Sequence, residues 1–337
     1  MSKSGLLPAL FVILCLAACS DEGETASPQP AVPDSLLSDA PLADAETSND
    51  VPSTDATPVN KDADAALDSG PDAAEPIGVR VRHCDDPALS LEDAERAALA
   101  AAGFTQCATP FGVLLAADDD MPPAYVTQAA QVLAELLDQD MDGFPEDPSV
   151  AEVVADHQSA WLAMPMDPEA WESTQLPLLW GALGYDIVIP AWWLEPKPNG
   201  PDEHGRAVMV EEIHHFLTQF GYSLVYPEVF GVEDWSSIIA VEALAAQCDY
   251  WQHPENSCPG SPPSYPGDCS DPSCDVVEFY HQVAVMRAGM TPAWLGIGFP
   301  TSAEGLEAKL SDAIKSVMDD PAFHQLQAPL SFGYPTM

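Results

Sequence analysis

The sequence predicts a mostly α-helical domain with a few short strands, an α+β fold. Three observations predict it. Six stretches between residues 91 and 318 place apolar side chains at the three- and four-residue spacing of a helix. Runs with the character of strands are short and few. All eight tryptophans lie beyond residue 79, so the side chains able to form a core are gathered in residues 79–337, a length that supports one sizeable core. Those residues are therefore expected to fold as a single domain stapled by disulfides.

The segments before it are expected to be no part of the fold. Residues 1–18 open with Lys3 and continue as an apolar run from position 6. That run is too short to span a bilayer as a permanent helix and ends in small residues, the layout of an export signal. Residues 20–78 hold 14 acidic side chains, one lysine and no aromatic. Such a segment cannot bury enough apolar surface to offset the entropy of ordering, and its like charges repel, which predicts an extended tether. The whole chain has 54 acidic residues against 10 basic ones, a formal charge of -44 that excludes nucleic acid as a partner. Residues 79–337 alone carry 40 acidic and 8 basic residues. An acidic surface of that kind suits salty surroundings or divalent cations and identifies no protein or peptide partner.

Leu16-Ala17-Ala18-Cys19 resembles the lipobox of bacterial lipoproteins. The resemblance implies cleavage before Cys19, lipid on its thiol and residues 19–78 as a lipid-anchored tether. The expected location is then the bacterial cell envelope, extracytoplasmic, at the outer membrane or cell surface. Several acyl chains on one residue anchor durably where a single chain does not. An ordinary cleaved signal beside an incidental Cys19 is the alternative. Cys15 leaves with the signal, and the remaining six, Cys84, Cys107, Cys248, Cys258, Cys269 and Cys274, are read as three disulfides of an exported chain. Cys84 and Cys107 flank one helical stretch and are expected to pair. The other four crowd a Pro- and Gly-rich loop at 254–272, where their pairing stays open. A four-cysteine zinc site is the alternative there, although no Cys-x-x-Cys pair occurs.

In chain order, residues 91–102 read as an alanine-rich helix and 111–116 as a short apolar strand. Residues 125–137 form a helix with Val126, Ala129, Ala130, Leu133, Leu136 and Leu137 at helical spacing. Residues 180–193, interrupted by Pro190, read as strand or loop. Helices follow at 206–220, 236–250, 276–286 and 303–318. No repeat, Gly-rich phosphate loop or Gly-x-Ser-x-Gly turn occurs.

Directly after the 125–137 helix comes Asp138-Gln139-Asp140-Met141-Asp142-Gly143-Phe144-Pro145-Glu146. Carboxylates at alternate positions converge when a glycine permits a sharp turn, and the Phe144 carbonyl can join them. Such oxygen-rich coordination suits calcium. The run resembles the first half of an EF-hand loop, and the resemblance implies a calcium site at Asp138, Asp140, Asp142, Phe144 and Glu146. It departs from that family at the twelfth position, where Ser149 stands in place of a bidentate glutamate. Glu146, Asp147 or Glu152 would complete the shell, as in dockerin-like and thrombospondin-type loops. A solvated acidic turn is the alternative.

The 206–220 helix contains Glu211-Glu212-Ile213-His214-His215. At 100° per residue, Met209, Ile213, Phe216, Leu217 and Phe220 form a buried stripe, Glu211, Glu212, His215 and Gln219 share one flank, and His214 points to the other. The pattern resembles the His-Glu-x-x-His helix of zinc metallopeptidases, with Glu211 in place of the first histidine. That likeness implies a zincin-like fold, Glu211 and His215 as zinc ligands and Glu212 as the catalytic base. Glutamate-class members take a third ligand from a later helix, which points to Glu242. If the protein is an enzyme, it is then a peptidase-like metal-dependent hydrolase. Two alternatives stay open. One is a non-enzymatic surface or structural module in which His215 and Glu242 close a buried polar network with Arg206, Arg287 or a backbone amide. The other is a di-iron carboxylate bundle, because Glu135, Glu212-x-x-His215, Glu242 and Glu278-x-x-His281 reproduce the alternation of ferritin-like proteins.

Lipid on Cys19 makes one prediction from sequence alone. Cys19→Ala should accumulate as uncleaved precursor without the lipid mass; normal processing and detergent partitioning of that variant would contradict it.

Overall fold

Two short apolar runs build the centre of the fold in the computed structural model, which describes residues 78–157, 160–166, 185–188, 200–251, 272–296 and 298–337. Strand β3, Leu115–Asp118, and strand β4, Ala160–Met164, lie parallel side by side. Successive side chains alternate across the sheet. Leu115, Ala117, Leu162 and Met164 enter one apolar cluster, while Ala116, Trp161 and Ala163 enter another on the opposite face with Leu99 and Phe104. A strand covered on both faces has no polar side, which is why these runs are apolar almost throughout.

The sheet is completed by β1, Arg82–His83, β2, Phe104–Ala108, and β5, Tyr185–Val188, in the order β1-β2-β3-β4-β5. The first two pairings are antiparallel and the last two parallel. The expected Cys84–Cys107 disulfide is present and ties the end of β1 to β2. Cys274 is also disulfide-bonded. Cys258 and Cys269 lie outside the described residues, as do the signal, Cys19 and the tether. The strand expected at 111–116 is displaced towards the C-terminus. Pro110–Gly112 forms a 3-10 turn in which Phe111 and Gly112 take φ of 52° and 88°, so pairing begins only at Leu115.

The α-helices of five or more residues among the described residues are α1, Asp93–Ala101, α2, Pro123–Leu137, α3, Pro148–Val154, α4, Glu203–Leu217, α5, Ile238–Gln247, α6, Pro272–Arg287, α7, Ala303–Glu307, and α8, Asp312–Asp319; a π-helical turn, Thr218–Tyr222, and two shorter helices, Ser223–Val225 and Pro227–Phe230, follow α4. Side-chain oxygens of Asp147, Asp202, Ser237, Ser302 and Ser311 accept first-turn amides of α3, α4, α5, α7 and α8. The cap at Ser311 explains why the helix expected at 303–318 is two: the chain leaves α7 and restarts with new first-turn donors.

Helix α2 packs against α4, and α6 packs against both α4 and α5. Residues from Val208 to Leu217 are therefore buried on every side of α4, where a single stripe was expected. One apolar cluster joins the sheet to α2 and α4 and includes Val285; a second joins α5, α6 and α8 through Ala243, Phe279, Tyr280 and Ile314. The seam between α4 and α6 lies where these clusters meet. No helix among the described residues is long and apolar enough to cross a membrane.

Glu135, buried on α2, accepts the backbone amides of Ser331 and Phe332. It fastens the C-terminal segment, whose Tyr334 hydroxyl donates to Asp138 and whose Pro335 carbonyl accepts from Val79. Glu135→Ala orphans two amides and should cost about 2–4 kcal/mol in denaturant unfolding. A loss below about 0.5 kcal/mol would remove this role.

Candidate metal centre

Burying an ionisable side chain is unfavourable without a partner, and the α4–α6 seam buries several. From α4 come Glu211, Glu212, His214 and His215; from α6 come Asp275, Glu278 and His281. All are buried except Glu278, which is half-buried. Helical spacing on α6 places Asp275, Glu278 and His281 at three-residue intervals, so they follow one another along the side that meets α4.

Glu211, His215 and Glu278 each offer a ligand atom, and the three atoms lie within 4.8 Å of one another. The Nε2 of His215 is 3.8 Å from Glu278 Oε2, and its Nδ1 is 4.0 Å from Glu212 Oε2. Neither distance is a hydrogen bond. Ligand atoms around a tetrahedral zinc stand about 3.3 Å apart, given bonds of about 2.0–2.1 Å, so closing this group on an ion needs side-chain shifts of about 1 Å. His215 Nε2 has no hydrogen-bond partner, nor has either ring nitrogen of His281. The His281 ring stands 5.3 Å from that of His215 and 5.5 Å from that of His214.

The electrostatics follow from desolvation. Burial, reinforced by Glu278, holds the Glu212 carboxyl well above the usual carboxylate range. Burial and then Asp275 push Glu278 up to about 7. Burial lowers His214 to about 4, and burial with His214 nearby lowers His215 to about 3. His281 is driven well below its ordinary value by burial and by the other two imidazoles. Every shift opposes charge, and no Lys or Arg offsets burial at Glu212 or Glu278. A bound cation reverses this balance, favouring ionised carboxylates while neutral imidazoles present lone pairs.

Of the residues singled out in the sequence, the structure groups Glu211 with His215 and sets Glu212 beside them. It does not bring Glu242 to the group. Glu242 Oε1 instead accepts the Ser311 amide at 2.9 Å, at the start of α8. Arg287 pairs with Glu307 and Asp319, so it meets neither Glu242 nor His215. Glu135 is likewise occupied with the C-terminal segment, which leaves two of the four di-iron positions outside the seam. His214 does not lie on a remote flank: it is buried against His281 and Tyr280, because α6 covers that side of α4. Asp275 was not among the sequence candidates, and Glu278 and His281 entered only through the di-iron pattern. The signal that finds all three is their spacing on an otherwise apolar helix.

The acidic loop after α2 forms a separate group. Asp138, Asp140 and Glu146 place oxygens within 4.8 Å of one another. Asp138 accepts the amides of Asp142 and Gly143 at 3.1 and 2.9 Å and the Tyr334 hydroxyl at 2.6 Å. Met141 and Gly143 take φ of 59° and 93°, the left-handed turns that fold the loop back on itself. Asp142 lies outside the group of three, with Oδ1 accepting the Phe144 amide at 2.9 Å. Asp147 caps α3 and accepts the Tyr226 hydroxyl.

Comparison with protein-family models, characterised proteins and solved structures found no match to this chain.

Proposed function

We propose that the protein is a lipid-anchored, extracytoplasmic metalloprotein of peptidase-like, metal-dependent hydrolase type, with a transition-metal centre at Glu211, His215 and Glu278. One observation carries this reading. Two desolvated carboxyls and three desolvated imidazoles face one another with no compensating Lys or Arg, and three imidazole nitrogens make no hydrogen bond. A purely structural network would pair these groups, as Glu135 and Glu242 are paired elsewhere in the same domain. Zinc suits one imidazole and two carboxylates at these spacings better than calcium does, because nitrogen ligands disfavour a hard cation.

Three protein ligands leave coordination positions open, the condition for catalysis by a zinc centre. A divalent ion held there supplies Lewis acidity to a substrate carbonyl and to water. With an ion bound there, Glu212, whose Oε2 is 4.0 Å from His215 Nδ1, would be the residue to accept a proton from water, the cation favouring the ionised form of a carboxyl that burial and Glu278 otherwise hold protonated.

Metal analysis of the purified protein tests the centre. The wild type should carry about one equivalent of zinc or a similar ion. His215→Ala and Glu278→Gln should each lose it by tenfold or more in affinity, while Glu242→Gln keeps it. Glu212→Gln should retain metal yet lose hydrolytic activity by about 100-fold or more. Retention of metal in both His215→Ala and Glu278→Gln would remove the assignment.

Calcium is proposed as a structural ion in the Asp138–Glu146 loop, where ionised oxygens repel one another until a cation joins them. Saturating calcium at about 100 times its dissociation constant should stabilise the fold by about 2.7 kcal/mol. Asp140→Ala, which disturbs no contact to Tyr334, should abolish most of that gain. Equal melting temperatures of the wild type in calcium and in chelator would reduce the loop to a turn.

A further inference from the structure

Three cations among the described residues, Arg80, Arg96 and Arg206, have no carboxylate partner although carboxylates outnumber cations fivefold in this domain; Arg80 is exposed and Arg96 donates to four backbone carbonyls. Four other cations among the described residues do pair with carboxylates: Arg82 with Asp86, Arg287 with Glu307 and Asp319, Lys309 with Asp249, and Lys315 with Glu307. Arg206 is half-buried and pairs with no carboxylate among the described residues. Its guanidinium donates one hydrogen bond, from one terminal nitrogen to the Pro201 carbonyl at 3.0 Å, and lies 5.3 Å from the centre of the Phe332 ring. The Nε and the second terminal nitrogen donate to no acceptor among the described residues.

Arg206 lines a cavity of about 280 Å³ that also reaches His281 of the α4–α6 seam. Val210, Val285, Met290 and Phe332 give it apolar walls, and Glu203 contributes a carboxylate at its exposed rim. Arg206 stands five residues before Glu211 on α4, a rise of about 7.5 Å along the helix. That rise corresponds to about two residues of extended peptide at about 3.3 Å each. The volume has room for about one amino-acid residue of medium size.

We propose that this cavity binds the C-terminal residue of a peptide, its free carboxylate on Arg206 and its apolar side chain against Val210, Val285, Met290 and Phe332. The preceding peptide carbonyl then lies towards His281, the seam residue that lines the cavity. The occupant's role as substrate rests on the metal-centre reading, whereas carboxylate recognition rests on Arg206 and the cavity alone. A planar guanidinium engages a carboxylate with two parallel hydrogen bonds, and the apolar walls strengthen them by excluding water.

The test uses N-acetyl-alanyl-leucine and its C-terminal amide, titrated calorimetrically into the purified full chain with zinc present. The acid should bind about tenfold or more tightly than the amide, because a charged hydrogen-bond acceptor is replaced by a neutral one. In Arg206→Gln the two probes should bind alike, with metal content unchanged and the melting temperature lowered only by the loss of the Pro201 and Phe332 contacts. Arg206→Lys, which keeps the charge, should retain a preference for the acid and guards against a folding defect in the glutamine variant. Equal affinity of the wild type for both probes, no binding of either, or undiminished preference in Arg206→Gln would overturn the proposal. Its fate separates from that of the metal centre. Preference for the acid that persists in metal-depleted Glu278→Gln supports the cavity even where hydrolysis is lost. A metal-loaded wild type indifferent to the carboxylate overturns the cavity and leaves the centre standing.

Discussion

The packing of α4 on α6 is the constraint on which the rest of the structure depends. Two apolar clusters, one built on the sheet and one on the C-terminal helices, share that seam, so both helices are enclosed by the core. Whatever those helices carry on their facing sides is removed from water. They carry Glu211, Glu212, His214 and His215 opposite Asp275, Glu278 and His281. Apolar packing on this scale offsets a concentration of polar groups that would not stay buried unaided, which is the arrangement that separates a site from a core. The raised carboxyls and lowered imidazoles express the same tension as protonation equilibria.

Elsewhere the fold treats buried carboxylates differently. Glu135 and Glu242 each accept backbone amides and thereby position a segment, the C-terminal strap in one case and the start of α8 in the other. Asp138 does the same for its own loop and for Tyr334. These groups act as fasteners. In the seam, by contrast, His215 Nε2 and both ring nitrogens of His281 make no hydrogen bond, and the proposed metal centre rests on that contrast.

Much of the helical framework is legible in the sequence because α1, α2, α4, α5 and α6 have strong periodic or apolar patterns, with side-chain caps at the starts of α4 and α5. Strand β4 is not, because Ala160–Met164 is apolar on both faces and lacks the alternation that marks a strand. The single helix expected at 303–318 hides a cap at Ser311 that only the geometry reveals. At the site, the sequence exposes the cost of a carboxylate on a buried helix but not the identity of its partner. Glu242 and Glu278 look alike in that respect: one meets a backbone amide and the other meets His215. His214 is misplaced by helical arithmetic for a related reason, since a helix covered all round has no outer flank.

X-ray absorption at the metal edge, combined with an anomalous-scattering map of crystals of the same protein, tests the central claim most directly. The account predicts one ion in the α4–α6 seam, with one imidazole nitrogen from His215 and oxygens from Glu211 and Glu278 at about 2.0–2.1 Å. A seam without an anomalous peak in protein saturated with zinc would contradict it, as would an ion coordinated by the α5 helix in place of α6.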